Sequence, residues 1–199
     1  MDVFDKDQLR TRRRETILKV AGQLFCSHGF NAVSVDQLAA ELGIAKTVIY
    51  SHFAGGKAEL FKACHVASTE LLELAAQKAV SEEPLQRLEE FIHAYVPTLL
   101  GDKGPGAVLL DLDILPDNMG LEIRDRRDKV YRLIQDWLNE AALSLSGVED
   151  HVAAAIFTRV IFGGINVLPK WYRDEESWTP EMIADSICRT IRGWASNPQ

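Results

Sequence analysis

The residues best placed to do chemistry lie between Ser34 and Leu60, in the segment SVDQLAAELGIAKTVIYSHFAGGKAEL. Ser34 is followed three residues later by Gln37, the spacing of a capping box, in which a hydroxyl and an amide side chain each satisfy a free backbone amide. Val35, Leu38 and Ala39 supply the inner face of the helix this box opens. Gly43 ends it and permits a left-handed turn. Ile44 and Ile49 then form the apolar side of a second short helix. Lys46, Thr47, Tyr50 and Ser51 are left facing outward. Two short helices joined by a tight glycine turn are the arrangement that lays its second helix in the major groove of DNA. From such a helix Lys46 reaches a phosphate or a guanine edge, and Thr47 a thymine methyl or a phosphate. Tyr50 and His52 have the short polar reach for the sugar–phosphate backbone. Packing is the competing reading for Tyr50 and His52, and the expected one for Phe53.

Other chemistries lack their residues. The five histidines, His28, His52, His65, His93 and His151, show no metal-ligand spacing. There is no nucleophile-elbow motif and no glycine-rich phosphate loop following a strand. Gly101 to Gly106 is glycine-rich, but no strand pattern precedes it. The expectation is a chain that is not an enzyme, with no cofactor and no metal. Cys26, Cys64 and Cys188 are odd in number and widely spaced, which reads as buried free thiols or a redox sensor rather than a disulfide framework.

The net charge of −7 argues against indiscriminate coating of nucleic acid, but its distribution is uneven. The first 60 residues carry eight Lys and Arg against seven Asp and Glu, and the remainder carries 14 against 22. Arg10, Arg12, Arg13, Arg14 and Lys19 concentrate the positive charge. The run from Arg12 to Arg14 reads either as a phosphate contact or as an ordinary solvated face. The polar N-terminus has no signal-peptide pattern, and no apolar run is expected to reach the roughly 20 residues of a membrane span. The expected location is the cytoplasm, with no membrane partner.

The elements that must position these residues are helical throughout. Ile17, Val20, Ala21, Leu24 and Phe25 repeat at three and four residues, and that helix stops at His28-Gly29. A long helix is expected from Lys57 to about Val80. Pro84 opens the next, over roughly 84–100, with Pro97 suggesting a kink or early stop. A short apolar helix is expected from Ala107 to Leu115, a long amphipathic one from Leu121 to Leu145, and two more over about 149–168 and 180–195. The expected fold class is all-α, with about nine helices. It divides into residues 1–56, a helix-turn-helix unit, and residues 57–199, a helical domain for ligand binding and dimerisation.

The segment from Ser34 resembles the DNA-binding domain of the TetR/AcrR family. The matching residues are Ser34, Leu38-Ala39, Leu42-Gly43-Ile44, Tyr50-Ser51-His52-Phe53 and Lys57-Ala58-Glu59-Leu60, preceded by Ile17-Leu18, Ala21, Leu24-Phe25 and Gly29-Phe30. The strong motif covers about a quarter of the chain. Ala45 stands where the family usually has a capping Ser, Thr47 replaces a small residue, and Ala54-Gly55-Gly56 holds one residue more than the pattern. The resemblance implies a ligand-responsive transcriptional repressor on palindromic double-stranded DNA, with activation or ligand-independent binding as the alternative. It places DNA contacts at Arg12, Ser34, Val35, Ala45, Lys46, Thr47, Tyr50, Ser51, His52 and Lys57.

It also implies a homodimer joined through the last two helices, by Ile156, Val160, Gly163, Gly164 and Val167 from one and Ile183, Ile187, Ile191 and Trp194 from the other. An effector pocket is implied among the middle helices. Its candidate residues are Phe61, His65, Phe91, Tyr95 and Leu99, then Leu110, Asp111 and Met119, then Tyr131, Ile134 and Phe157; each is also readable as plain core. Asp111 and Asp113 need partners or water in their apolar helix. Arg124, Arg126 and Arg127 pair with Asp125 and Asp128 or meet a ligand phosphate. The stretch Trp171-Tyr172-Arg173-Asp174, Trp178-Thr179-Pro180-Glu181 and Ile183-Ala184-Asp185 resembles a branch of the family that binds fatty-acyl or sterol-derived acyl-CoA thioesters, so the effector it implies is a fatty-acyl-CoA or another small hydrophobic molecule.

Overall fold

The computed structural model describes residues 3–101, 117–173 and 177–198. Among them are eight helices and no strand. The helix expected at Ala107–Leu115 lies outside the described residues, together with Leu110, Asp111 and Asp113, as does the side chain of Met119.

α1 (Val3–His28) begins well before the apolar repeat that announces it. Its first half is an exposed stretch of Lys, Gln, Leu and Arg, good helix formers without an apolar stripe. From Ile17 the spacing of the core face takes over, and Ile17, Ala21 and Phe25 are buried. Gly29, at φ 79°, turns the chain away. α2 (Val35–Leu42) and α3 (Lys46–His52) follow, and α2 packs on both α1 and α3. α4 (Gly56–Lys78) runs from this head into the rest of the molecule.

α5 (Pro84–Leu100) has its proline in the first turn, where a missing amide costs nothing. Pro97 does not stop it: the helix continues to Leu100, and the amide of Gly101 donates to the Pro97 carbonyl at 2.8 Å. α6 (Asp117–Ser146) packs against α4, α5 and α7. α7 (His151–Trp171) is capped by Asp150, whose carboxylate accepts from the amides of Val152 and Ala153. α8 (Pro180–Ser196) is capped by Thr179 and lies along α5 and α6.

Two hydrophobic cores result. The head core joins Ile17, Phe25, Leu38, Ile49 and Phe53 to Leu60, Phe61 and Cys64 of α4. The body core joins Leu72 and Ala75 of α4 to Phe91, Tyr95, Trp137, Phe162 and Ile191. α7 departs from the sequence expectation in one respect. An 18-residue window has mean hydropathy 1.7, so by length and composition the helix is long and apolar enough to cross a membrane, yet only 28% of the window is buried. It is apolar on its outward side as well as its inward one.

Candidate nucleic-acid interface

The capping box forms as its spacing requires. The Gln37 amide donates to Ser34 Oγ at 3.1 Å, and the Ser34 amide donates to Gln37 Oε1 at 3.4 Å. At the other end of α2, Gly43 sits at φ 62°, ψ 31°. The amide of Ile44 reaches the Ala39 carbonyl and that of Gly43 the Ala40 carbonyl, closing a Schellman turn that ends α2 ahead of α3. Ala45 begins α3 in extended geometry with no side-chain cap.

α3 divides into a buried and an open side. Ile49 is 0% exposed, and so is Phe53 immediately after the helix. Lys46, Thr47, Tyr50 and Ser51 are all exposed, Tyr50 by 45%. Lys46 makes a solvent-facing pair with Asp36 at 3.2 Å, a contact of little net worth that a stronger anion replaces readily. Ser51 Oγ donates to the Val48 carbonyl at 2.7 Å. Beside this surface, Arg12 and Arg13 border a cleft of about 410 Å³ between α1 and the start of α3, with Ile44 and Val48 as its apolar floor. Cationic side chains around an open helix face are the equipment for phosphate positioning with base reading between.

The remaining candidates sit differently. Ser34 is exposed, but its hydroxyl serves the cap, and Val35 packs partly against the head core. Lys57 is turned inward: its Nζ donates to the Phe30 carbonyl at 3.0 Å and lies 4.2 Å from the centre of the Phe30 ring. His52 is half-buried; burial first, then the charges of Arg10, Arg14 and Arg13, hold its imidazole below the ordinary value. Within the Ala54-Gly55-Gly56 stretch, Gly56 has a structural reason to be glycine. Gly56 opens α4 at φ 66°, and a Cβ there would stand 3.3 Å from the ring of Tyr50, so the linker passes close under the recognition surface. Glu59 satisfies the turn by accepting from the Gly55 amide at 2.6 Å.

Arg14 was grouped with its neighbours by sequence, and the structure separates it. Its Nη1 donates to the His52 carbonyl at 3.2 Å, and its guanidinium stacks 4.3 Å above the Phe53 ring. The signal was present: Arg14 lies three residues before Ile17, on the buried stripe of α1.

The expected effector residues disperse. Phe61 belongs to the head, where Phe25 and Phe30 surround it at 5.1 and 4.8 Å. His65 stands edge-on to Phe61 at 4.5 Å, 1% exposed, with neither ring nitrogen hydrogen-bonded. Phe91, Tyr95 and Ile134 are buried in the body core, and Tyr131 packs on Phe162 while its hydroxyl accepts from Asn166 at 3.0 Å. Phe157 stacks on Trp194 at 4.6 Å. Leu99 borders a cleft of about 370 Å³ that also reaches Cys26. Of the arginines on α6, Arg127 pairs with Asp128 as the sequence suggests, but Arg126 reaches across to Glu73 of α4, and Asp125 takes Lys129 instead.

The expected dimer residues divide too. On α7, Ile156 is 59% and Val160 64% exposed; Gly163 and Gly164 are exposed, and Val167 is half-buried. On α8, Ile183 and Ile191 point into the chain's own core, and Ile187 and Trp194 pack partly against it. Met182, the exposed large apolar residue of α8 at 52%, shares with Ile183 and Ile187 a groove of about 480 Å³ that Val160, Gly164 and Trp171 also line.

The family described as "Bacterial regulatory proteins, tetR family" matches residues 17–64, and "Tetracyclin repressor-like, C-terminal domain" matches residues 81–194, more than half of the chain. The uncharacterized HTH-type transcriptional regulator YerO of Bacillus subtilis is 27% identical over 128 residues, 60% of this chain and 44% of its own length, so the match spans less than half of that relative. The HTH-type transcriptional activator FasR of Mycolicibacterium smegmatis is 21% identical over 83% of this chain and 75% of its own. Among solved structures, the TetR family regulator PfmR of Thermus thermophilus aligns with TM-score 0.73 and 26% identity, covering 89% of this chain and 97% of that one. AibR, in complex with isovaleryl coenzyme A and operator DNA, shares the fold with TM-score 0.71 at 21% identity, again over 89% and 97%. With both halves of its architecture matched in order, the chain belongs to the tetR family of bacterial regulatory proteins.

Proposed function

We propose that this protein is a transcriptional repressor that reads a near-palindromic operator with α3 and leaves it when a small hydrophobic molecule binds the body. The observation that carries the reading is the division of α3: Ile49 is wholly buried while Lys46, Thr47, Tyr50 and Ser51 face outward together. A homodimer through α7 and α8 follows from the exposed apolar strip of Ile156, Val160 and Met182 beside two exposed glycines, where a second copy removes apolar surface from water. Two-fold symmetry then sets the recognition helices about one DNA turn, roughly 34 Å, apart. Ligand release operates through whichever conformer the effector binds better.

An acyl-coenzyme A thioester is the effector class favoured here, supported by the resemblance around Trp171–Asp185 and by the ligand of AibR. Activation is the second reading, and the name of FasR favours it. The test is a gel shift with the intergenic DNA beside the protein's own gene, using the native chain, Lys46→Ala and Tyr50→Ala. Selective binding lost in both variants supports the reading; binding unchanged in both overturns the role of α3. Adding acyl-CoAs of increasing chain length tests the effector, and a reporter driven by that DNA separates repression from activation.

A further inference from the structure

α3 has an unusual mechanical problem. It is seven residues long, and Ala45 gives it no side-chain cap. Its first turn carries no acidic residue to complement the positive end of the helix. A helix this short is not stable alone. Burial of Ile49 fixes which side faces the core, but one buried side chain leaves the helix free to tilt about that contact.

Arg14 supplies a second anchor at the far end. Its guanidinium donates to the carbonyl of His52, the last residue of α3, and covers the ring of Phe53, which is itself fully buried. A cation at a helix C-terminus satisfies an orphan carbonyl and meets the negative end of the dipole. The stacked ring holds the planar group in one orientation. Arg14 rises from α1, so the contact ties the recognition helix to the longest element of the head. Arg12 and Arg13, one turn or less away, remain exposed.

We infer that Arg14 is a positioning residue for sequence reading: it sets the angle at which α3 presents Lys46, Thr47 and Tyr50, and does so without touching DNA itself. This rests on the reading that α3 lies in the groove. A residue that contacts phosphate weakens all DNA alike and leaves a signature in the salt dependence, because each lost phosphate contact lowers the number of counterions released. A residue that sets the angle weakens the matched sequence and spares the rest.

The experiment compares the native chain, Arg14→Gln and Arg14→Lys, each full length, on the intergenic duplex and on a random duplex of equal length, from 50 to 200 mM salt. Arg14→Gln is expected to lose tenfold or more on the intergenic duplex and under threefold on the random one, with the salt slope unchanged. The His52 ring, followed by NMR, is expected to titrate at higher pH in Arg14→Gln, since one of the three arginine charges acting on it is gone. Arg14→Lys, which keeps the charge but not the planar stack, is expected to lose selectivity with less change in the His52 titration. Equal loss on both duplexes, with the slope smaller by about one per protomer, makes Arg14 a phosphate contact and overturns the inference. Native selectivity in both variants overturns it as well. Should Arg14→Gln fail to fold by circular dichroism, Arg14→Lys decides by the same criteria. A native chain that does not distinguish the two duplexes overturns the reading of α3 itself, a failure visible before any variant is compared.

Discussion

The two halves of α4 serve different neighbours. Leu60, Phe61 and Cys64 close the head core, and Leu72 and Ala75 enter the body core eight or more residues later. The segment between them buries His65, Ser68 and Thr69, three polar side chains where a continuous core would place apolar ones. Thr69 returns its hydroxyl to the His65 carbonyl at 2.9 Å. The head is a small unit held by an aromatic cluster and capped turns, and it borrows Ile123 from α6. The body is a layered helical core. α4 is therefore a beam with two bearings and a polar mid-section.

Emptying the head core separates the two bearings of α4 most strongly. Phe53→Ala removes a fully buried ring together with the platform for Arg14, and is expected to cost about 4 kcal/mol in denaturant unfolding. Hydrogen exchange should accelerate in α1, α2, α3 and the first half of α4, and hold in α5 and α8. Equal acceleration throughout would mean one cooperative unit, and the division of α4 would have no energetic content.

His65 makes the polar mid-section of α4 sensitive to pH. Burial, then the charge of Arg127, lowers its pKa to about 4, against 6.5 for an exposed imidazole. The unfolded chain therefore takes up a proton that the folded chain refuses. Its contribution is fully present above pH 6.5 and is lost as pH falls toward 4, by about 3 kcal/mol at 1.36 kcal/mol per unit. His65→Leu should flatten that part of the stability profile between pH 4 and 6.5. A profile identical to the native one would show that another group governs it.

Next in size is the strut beside the polar section. Arg126 holds Glu73 with Nε–Oε1 at 2.9 Å and Nη2–Oε2 at 2.6 Å, a bidentate pair with both side chains mostly buried. Glu73→Gln is expected to cost about 1 kcal/mol at low salt and less at 1 M salt. Loss independent of salt would make the contact one of packing rather than charge.

The head was more legible in the sequence than the body because its signals are local. The Ser34–Gln37 box, the Gly43 turn and the Ile44–Ile49 spacing each act within a few residues, so pattern alone places them. Long-range partners have no such signature. Nothing adjacent to Lys57 announces the Phe30 carbonyl, 27 residues away, and nothing beside Arg126 announces Glu73. On α8, Ile183, Ile187 and Ile191 share one stripe, and a stripe shows that a face is buried without saying whether its own chain or a second copy buries it. Met182 lines the outward groove together with Ile183 and Ile187, while Ile191 is buried by its own chain. The start of α1 was missed for the opposite reason: a helix with no apolar face leaves no period to read.

The smallest effect asks what the missing cap at Ala45 does. Its backbone, at φ −71° and ψ 143°, already has the extended geometry that Ser34 adopts at φ −106° and ψ 158°, so a hydroxyl there can reach the free amides of the α3 first turn without rearrangement. Ala45→Ser is expected to stabilise the protein by about 0.5 to 1 kcal/mol, read as a higher urea midpoint at constant slope. Its effect on DNA then locates the order of α3. If α3 is already held from its C-terminal end, stability rises and affinity for the intergenic duplex does not. Should affinity rise with stability, α3 frays in the free protein, binding must order it, and the head is the softer of the two regions that α4 joins.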